Sequence, residues 1–279
     1  MRESNHLNQP TFGQGIVVSA GVALAVFVLS FLAYGEQHDP DIPATATTDF
    51  LYWGISIIVI AIAGYGAQFA ERSATIAAAA VGHARPRATV ASAWAVPAVS
   101  TLAAILLVAT YHNSWMFAVG PLVAFFGTAG SLLSRDLLDD AGDTTHRAAT
   151  TIHTLVIHVA AFLALGIIYY NKFPLWIGLP LVGAVAGVLV LETLERANVQ
   201  PGKRIGYAAL GGLAVAEALI AVNWWQTHGW TGGAVLLVAF YLAAGVILAR
   251  SQRLMIRSRD LIEFGLVSLV ALVILAAAA

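Results

Sequence analysis

Hydrophobic positions along this chain gather into long runs separated by short polar stretches. Nine runs are long enough to cross about 30 Å of hydrocarbon as α-helices. They cover residues 13–34, 49–70, 90–111, 115–134, 148–170, 174–193, 205–225, 230–249 and 261–278. The connections are too short to build cores of their own. The pattern therefore predicts an all-α, polytopic transmembrane helical bundle of about nine spans, with residues 1–279 forming a single integral membrane domain. The first run has no small-residue cleavage site and is long for the apolar region of a signal peptide, so it is read as the first span.

The cations follow the same count. Arg2, then Arg72, Arg85 and Arg87, then Arg135 and Arg147, then Arg196, Lys203 and Arg204, and finally Arg250, Arg253, Arg257 and Arg259 occupy alternate connections. Of the 14 Lys and Arg residues only Lys172 falls on the other side. The positive-inside rule places the rich side in the cytoplasm, which predicts a cytoplasmic N-terminus and a non-cytoplasmic C-terminus. Tyr34, Tyr52, Trp53, Tyr111, Trp115, Tyr169, Tyr170, Trp176, Trp224, Trp225 and Trp230 fall near the opposite helix ends, where amphipathic rings anchor at the headgroups.

A repeat runs through these spans. Leu122-Val123-Ala124-Phe125 returns as Leu237-Val238-Ala239-Phe240, and Trp115 and Trp230 share the same offset of 115 residues. Pro180-Leu181-Val182-Gly183 parallels Pro121-Leu122-Val123-Ala124. Each match lies in the second arm of a hairpin that starts inside, which suggests parallel helical-hairpin repeats with one helix added. Gly183 and Gly187 form a Gly-x-x-x-Gly pair, and Gly64, Gly66, Gly127, Gly130, Gly211 and Gly212 add small positions that let helix backbones approach. Pro97, Pro121 and Pro180 fall within spans and are expected to bend them.

Composition agrees with the pattern. Hydrophobic residues are 59% and charged residues 10%, against about 45–50% and 25% in soluble domains; mean hydropathy is +0.81. A net charge of −1 gives no basic balance for nucleic acid. With no cysteine, disulfides, thiol catalysis and cysteine-held metal or iron–sulfur centres are excluded. A bacterial or archaeal cytoplasmic membrane is the expected location.

Within spans, polar residues carry the functional information. Glu217 stands in an apolar stretch of the seventh run, where an ionised carboxylate costs about 2.5–3.5 kcal/mol on insertion scales. His158 lies at a similar depth in the fifth run, with His153 five residues earlier. Ser100, Thr101, Tyr241 and Ser268 also fall near mid-depth. Glu217, His158, Ser100 and Thr101 form a candidate midplane polar site of the kind transporters use. Taken singly, His158 reads better as a satisfied bundle histidine and Glu217 equally as a carboxyl that ties helices together. His153 and His158 diverge by about 140° around one helix and cannot clamp a haem between them. No cofactor is expected.

Asp136, Asp139, Asp140 and Asp143 make the one acidic cluster, a spacing able to hold Mg²⁺ against a diphosphate but also that of a solvated helix cap. Nine spans and an inside N-terminus are shared with the intramembrane aromatic prenyltransferases. Their paired aspartate motifs are missing here, where the corresponding connections read Glu71-Arg72-Ser73-Ala74-Thr75 and Glu192-Thr193-Leu194-Glu195-Arg196. No Asp-Gly-x-x-Ala-Arg run, His-Glu-x-x-His motif or late-span lysine is present. Arg250, Arg253, Arg257 and Arg259 suit anionic lipid, at about 1 kcal/mol each.

These features favour a non-catalytic membrane scaffold or a subunit of a larger membrane assembly, joined to itself or to other membrane proteins. The alternative is a small-solute or proton-coupled transporter centred on Glu217 and His158. An enzyme acting on lipid through Asp136, Asp139 and Asp140 ranks third.

Overall fold

The computed structural model describes residues 10–33, 48–80, 92–140, 145–195, 199–225, 229–252 and 258–278. Arg2, Tyr34, Arg85, Arg87, Asp143, Arg196, Arg253 and Arg257 lie outside these residues, as do the side chains of Asp140 and Arg259. Among the described residues nine α-helices follow one another without a strand: α1 (Pro10–Ala33), α2 (Phe50–Ala80), α3 (Ala95–Tyr111), α4 (Met116–Asp140), α5 (His146–Tyr170), α6 (Leu175–Leu194), α7 (Pro201–Trp225), α8 (Gly229–Gln252) and α9 (Ser258–Ala278). Sequences this apolar become helices because hydrocarbon offers no partner to a backbone N–H or C=O, and a helix satisfies both internally. Seven helices (α1, α2 and α4 to α8) are long and apolar enough to cross a membrane; α3 and the Ile262–Ala277 stretch of α9 are shorter apolar helices.

Several helix ends depart from the hydropathy reading. α2 runs on to Ala80 and α4 to Asp140, beyond the expected ends at 70 and 134. Hydropathy marks where the apolar side chains stop, whereas the hydrogen-bond ladder continues while the sequence tolerates a helix. α3 begins at Ala95 rather than at 90. Pro97 is thus in its first turn, where proline costs no intrahelical hydrogen bond; only Pro121 and Pro180 are interior.

The helices form two compact units, divided within α5 between Val156 and Ile157. The first comprises α1 to α4 and the start of α5. Its centre is α3, of whose 17 residues 14 are buried, with α1, α2 and α4 all packed against it. Tyr52 of α2, read from sequence as an interfacial anchor, is instead 2% exposed and donates its hydroxyl to the Ile105 carbonyl of α3 at 2.7 Å. Ser30 of α1 hydrogen-bonds the Val26 carbonyl at 3.0 Å and that of Met116, where α4 starts, at 3.3 Å.

The second unit comprises the remainder of α5 and α6 to α9. Small residues set its closest contacts. Gly183 and Gly187 of α6 meet α7, where Gly212 touches the Gly183 backbone and a Cβ on Gly187 would lie 3.0 Å from the Ala208 carbonyl oxygen. On α5, Gly166 touches Gly233 of α8 and is roofed by Trp230, while Tyr169 lies over Gly232. Tyr169 is therefore a buried packing residue and not a headgroup anchor. Trp115, Trp176, Trp224 and Trp225 remain exposed, as anchoring rings are. The repeated tetrapeptides do not share burial: Phe240 is fully buried but Phe125 is half-buried, and Ala124 is buried but Ala239 is half-buried.

Candidate functional site

The mid-depth polar residues read from the sequence divide between the two units. Ser100 and Thr101 belong to α3 in the first, both buried, with neither hydroxyl hydrogen-bonded within the described residues. Gly127 of α4 sits directly on the Ser100 side chain, so a Cβ there would overlap it. This is a helix contact filled by a serine, with no room left beside it.

In the second unit, half-buried His158 presents its ring to α8. Phe240 lies edge-on at 5.5 Å between centroids and Tyr241 is tilted at 6.0 Å. Tyr241 in turn meets Phe264 of α9 at 5.7 Å, and Ser268 is buried on the same helix. His158 thus belongs to an aromatic contact between α5 and α8.

Glu217 lies elsewhere, on α7, one side of which is fixed by packing. Gly211, Gly212, Val215, Ala216, Leu219 and Val222 turn inward. Glu217 points away from them and is exposed, and no hydrogen bond or ion pair joins it to His158 or to any other described residue.

Its neighbours on the outward face form a regular seam. Lys203, Gly206, Leu210, Leu213, Glu217, Ile220 and Trp224 are all exposed and recur at alternating steps of three and four, the spacing that keeps residues on one helix face. Gly202 and Gly206 add a second Gly-x-x-x-Gly pair, and nothing stands within 4 Å of a Cβ built on either. The α6–α7 contact consumes Gly183, Gly187 and Gly212, whereas Gly202 and Gly206 are left bare. A seam of this composition can accept another helix, and a carboxyl in its middle supplies a hydrogen bond.

Charges at the helix ends form a second set, which hydropathy assigned to loops. In the first unit Arg135 of α4 is 3% exposed and its Nη2 lies 2.6 Å from Glu71 Oε1 of α2. One residue before it, Ser134 Oγ lies 2.9 Å from His153 Nδ1 of α5. In the second unit Glu192, Glu195 and Arg204 are buried, with Arg204 Nε donating to the Val199 carbonyl at 2.9 Å. The continuation of α2 and α4 past their apolar runs turns Glu71 and Arg135 into interior residues. A usable signal was their placement: each follows its run at once, within reach of the helix interior. Asp136 and Asp139 follow Arg135 at the end of α4, half-exposed. Among the described residues no group of three or more His, Cys, Asp or Glu could hold a metal ion.

A family model described as "Protein of unknown function (DUF5656)" matches residues 40–278. No curated protein and no solved structure matches the chain.

Proposed function

Taking as premise that the chain belongs to this DUF5656 family, we propose that it is a non-catalytic membrane subunit that self-associates through the outward seam of α7. In this reading all nine helices are embedded in a prokaryotic cytoplasmic membrane, with the N-terminus inside and the C-terminus outside. α3 and α9 are then short spans, and the alternation of cations orients the whole.

The observation that carries the reading is the exposure of Glu217 in the middle of an apolar seam. An ionisable side chain facing lipid is costly and rare; such groups face protein or water. A transport site would wrap Glu217 inside the bundle, whereas here the carboxyl looks outward from the unpacked side of its helix. A second protein surface supplies what the fold itself leaves missing. All copies of a membrane protein share one orientation, so a twofold axis must run along the membrane normal. That axis brings identical depths together: α7 meets α7 in parallel, and Glu217 meets Glu217. One polar residue in an otherwise apolar seam is also a recognised device for fixing register.

The chain has no cysteine, so single replacements report cleanly. Leu213→Cys and Ile220→Cys should form disulfide-linked dimers in native membranes, whereas Ile57→Cys, on an exposed face of α2, should not. Glu217→Leu should reduce dimer recovery in mild detergent and Glu217→Gln should preserve it. Absence of cross-linking at 213 and 220, or equal cross-linking at 57, overturns the proposal. Cross-linking at 213 to a protein of different mass would replace self-association by a hetero-assembly.

A further inference from the structure

The first unit contains a cavity of about 290 Å³ between α1, α2 and α4, close to the lower end of the ~300–1,000 Å³ range of small-molecule sites. It is drawn out along α4. Phe126, Ala129, Leu133, Asp136 and Asp139 line it at steps of three and four, the spacing of one helix face. From Phe125 to Asp139 that lining extends about 20 Å, at ~1.5 Å per residue. Small side chains make the space: Gly15 on α1, Ala70 and Ala74 on α2, Ala129 and Gly130 on α4. Leu132 is buried with Ala70 at the base. Along the outer border stand Ile16, Phe126 and Leu133, exposed apolar side chains of the kind that face lipid. Charged side chains line one end alone, where Arg135 and Glu71 pair beside Asp136 and Asp139.

We propose that this cavity holds one acyl chain of a membrane phospholipid, laid along α4 with its methyl end at Phe125. Water does not suit the space, because a buried water needs two to four polar partners and most of the wall offers no polar side chain. Hydrocarbon does. The open border continues the lipid-facing surface, so a chain enters sideways past Phe126 and Leu133. The length also fits, since one leaflet with its headgroups is about half of ~40–45 Å. Within a bilayer, close packing rather than water exclusion holds apolar groups together. A chain between three helices makes such contacts on several sides at once. Glu71, Arg135, Asp136 and Asp139 already have interactions within the protein. Selection therefore rests on the wall, which takes the chain, and the headgroup stays in the interfacial layer.

Native mass spectrometry of the full chain tests this, after reconstitution with phosphatidylglycerol or phosphatidylcholine of identical chains and washing in detergent. Each preparation should retain one phospholipid per chain. Retention should agree within about threefold between the two headgroups, as expected where no charge-assisted contact discriminates. Ala129→Phe fills the wall and should lower retention about tenfold or more. Asp136→Asn with Asp139→Asn should retain lipid as the parent does. In the washed complex, a phospholipid with a diazirine at its chain end should label α4 near Phe125 and Phe126, and not exposed Ile57 of α2. That label decides even where Ala129→Phe does not fold. Loss of all phospholipid on washing overturns the proposal, as does full retention by a folded Ala129→Phe protein or labelling at Ile57 equal to that on α4. A larger headgroup preference, loss of lipid from the Asn variant, or a retained free fatty acid in its place also overturns it. These outcomes are independent of self-association, which is read at α7.

Discussion

Arg135 Nη2 approaches Glu71 Oε1 to 2.6 Å while the two side chains are only 3% and 16% exposed, so an ion pair fastens α4 to α2 in the interior. Removing one partner of a buried pair costs about 3–5 kcal/mol, whereas replacing both by apolar residues is often neutral. Arg135→Met alone should therefore lower the thermal unfolding midpoint sharply. Arg135→Met with Glu71→Leu should recover most of the loss. Unfolding followed by tryptophan fluorescence in detergent measures both; equal losses in the single and double variants would count against the pair.

Gly212 and Gly206 lie six residues apart on α7 but in opposite surroundings. A Cβ at Gly212 would run into the Gly183 backbone, whereas one at Gly206 meets nothing. Gly212→Ala should destabilise the protein by about 1–3 kcal/mol, the usual cost of overpacking. Gly206→Ala should leave monomer stability unchanged or slightly raised. The same thermal assay separates them.

Buried hydrogen bonds in the first unit give smaller, additive effects. Tyr52→Phe removes the bond to the Ile105 carbonyl, and Ser134→Ala removes the one to His153. Each should cost about 0.5–1.5 kcal/mol, and the double variant should show their sum. Tyr52→Phe leaving stability untouched would count against a stabilising role for the bond to Ile105.

Orientation is open to direct labelling. Lys172 is exposed in the turn between α5 and α6, and Gly202 is exposed at the start of α7. With the N-terminus inside, Lys172→Cys should react with a membrane-impermeant maleimide in intact cells. Gly202→Cys should react only after permeabilisation. The reverse pattern would invert the proposed topology.

The helices themselves were legible in the sequence because a run of apolar residues and a helix that buries its backbone polarity have the same cause. Small-residue contacts were legible too: Gly64, Gly66, Gly127, Gly183, Gly187, Gly211 and Gly212 all abut other helices. Gly166, Gly232 and Gly233, which bring α5 and α8 together, escaped notice because nothing in sequence distinguishes a packed glycine from an idle one.

What hydropathy could not supply was azimuth. Apolar residues lie on both the packed and the outward side of α7, so depth alone suggested a shared site for Glu217 and His158, whereas Glu217 faces outward and His158 packs against α8. Helix ends were hidden for a related reason. Glu71 and Arg135 lie beyond the apolar runs of α2 and α4, and only the continuing backbone ladder reveals them as interior.

The enclosure of α3 has a consequence for synthesis. At about 1.5 Å per residue its 17 residues span roughly 25 Å, less than the hydrocarbon thickness. That shortfall matters little once α1, α2 and α4 surround it. During translation, however, α3 leaves the ribosome before α4 does. Until α4 follows, the nascent chain carries a short helix with one flank bare, a flank that only its own next helix covers.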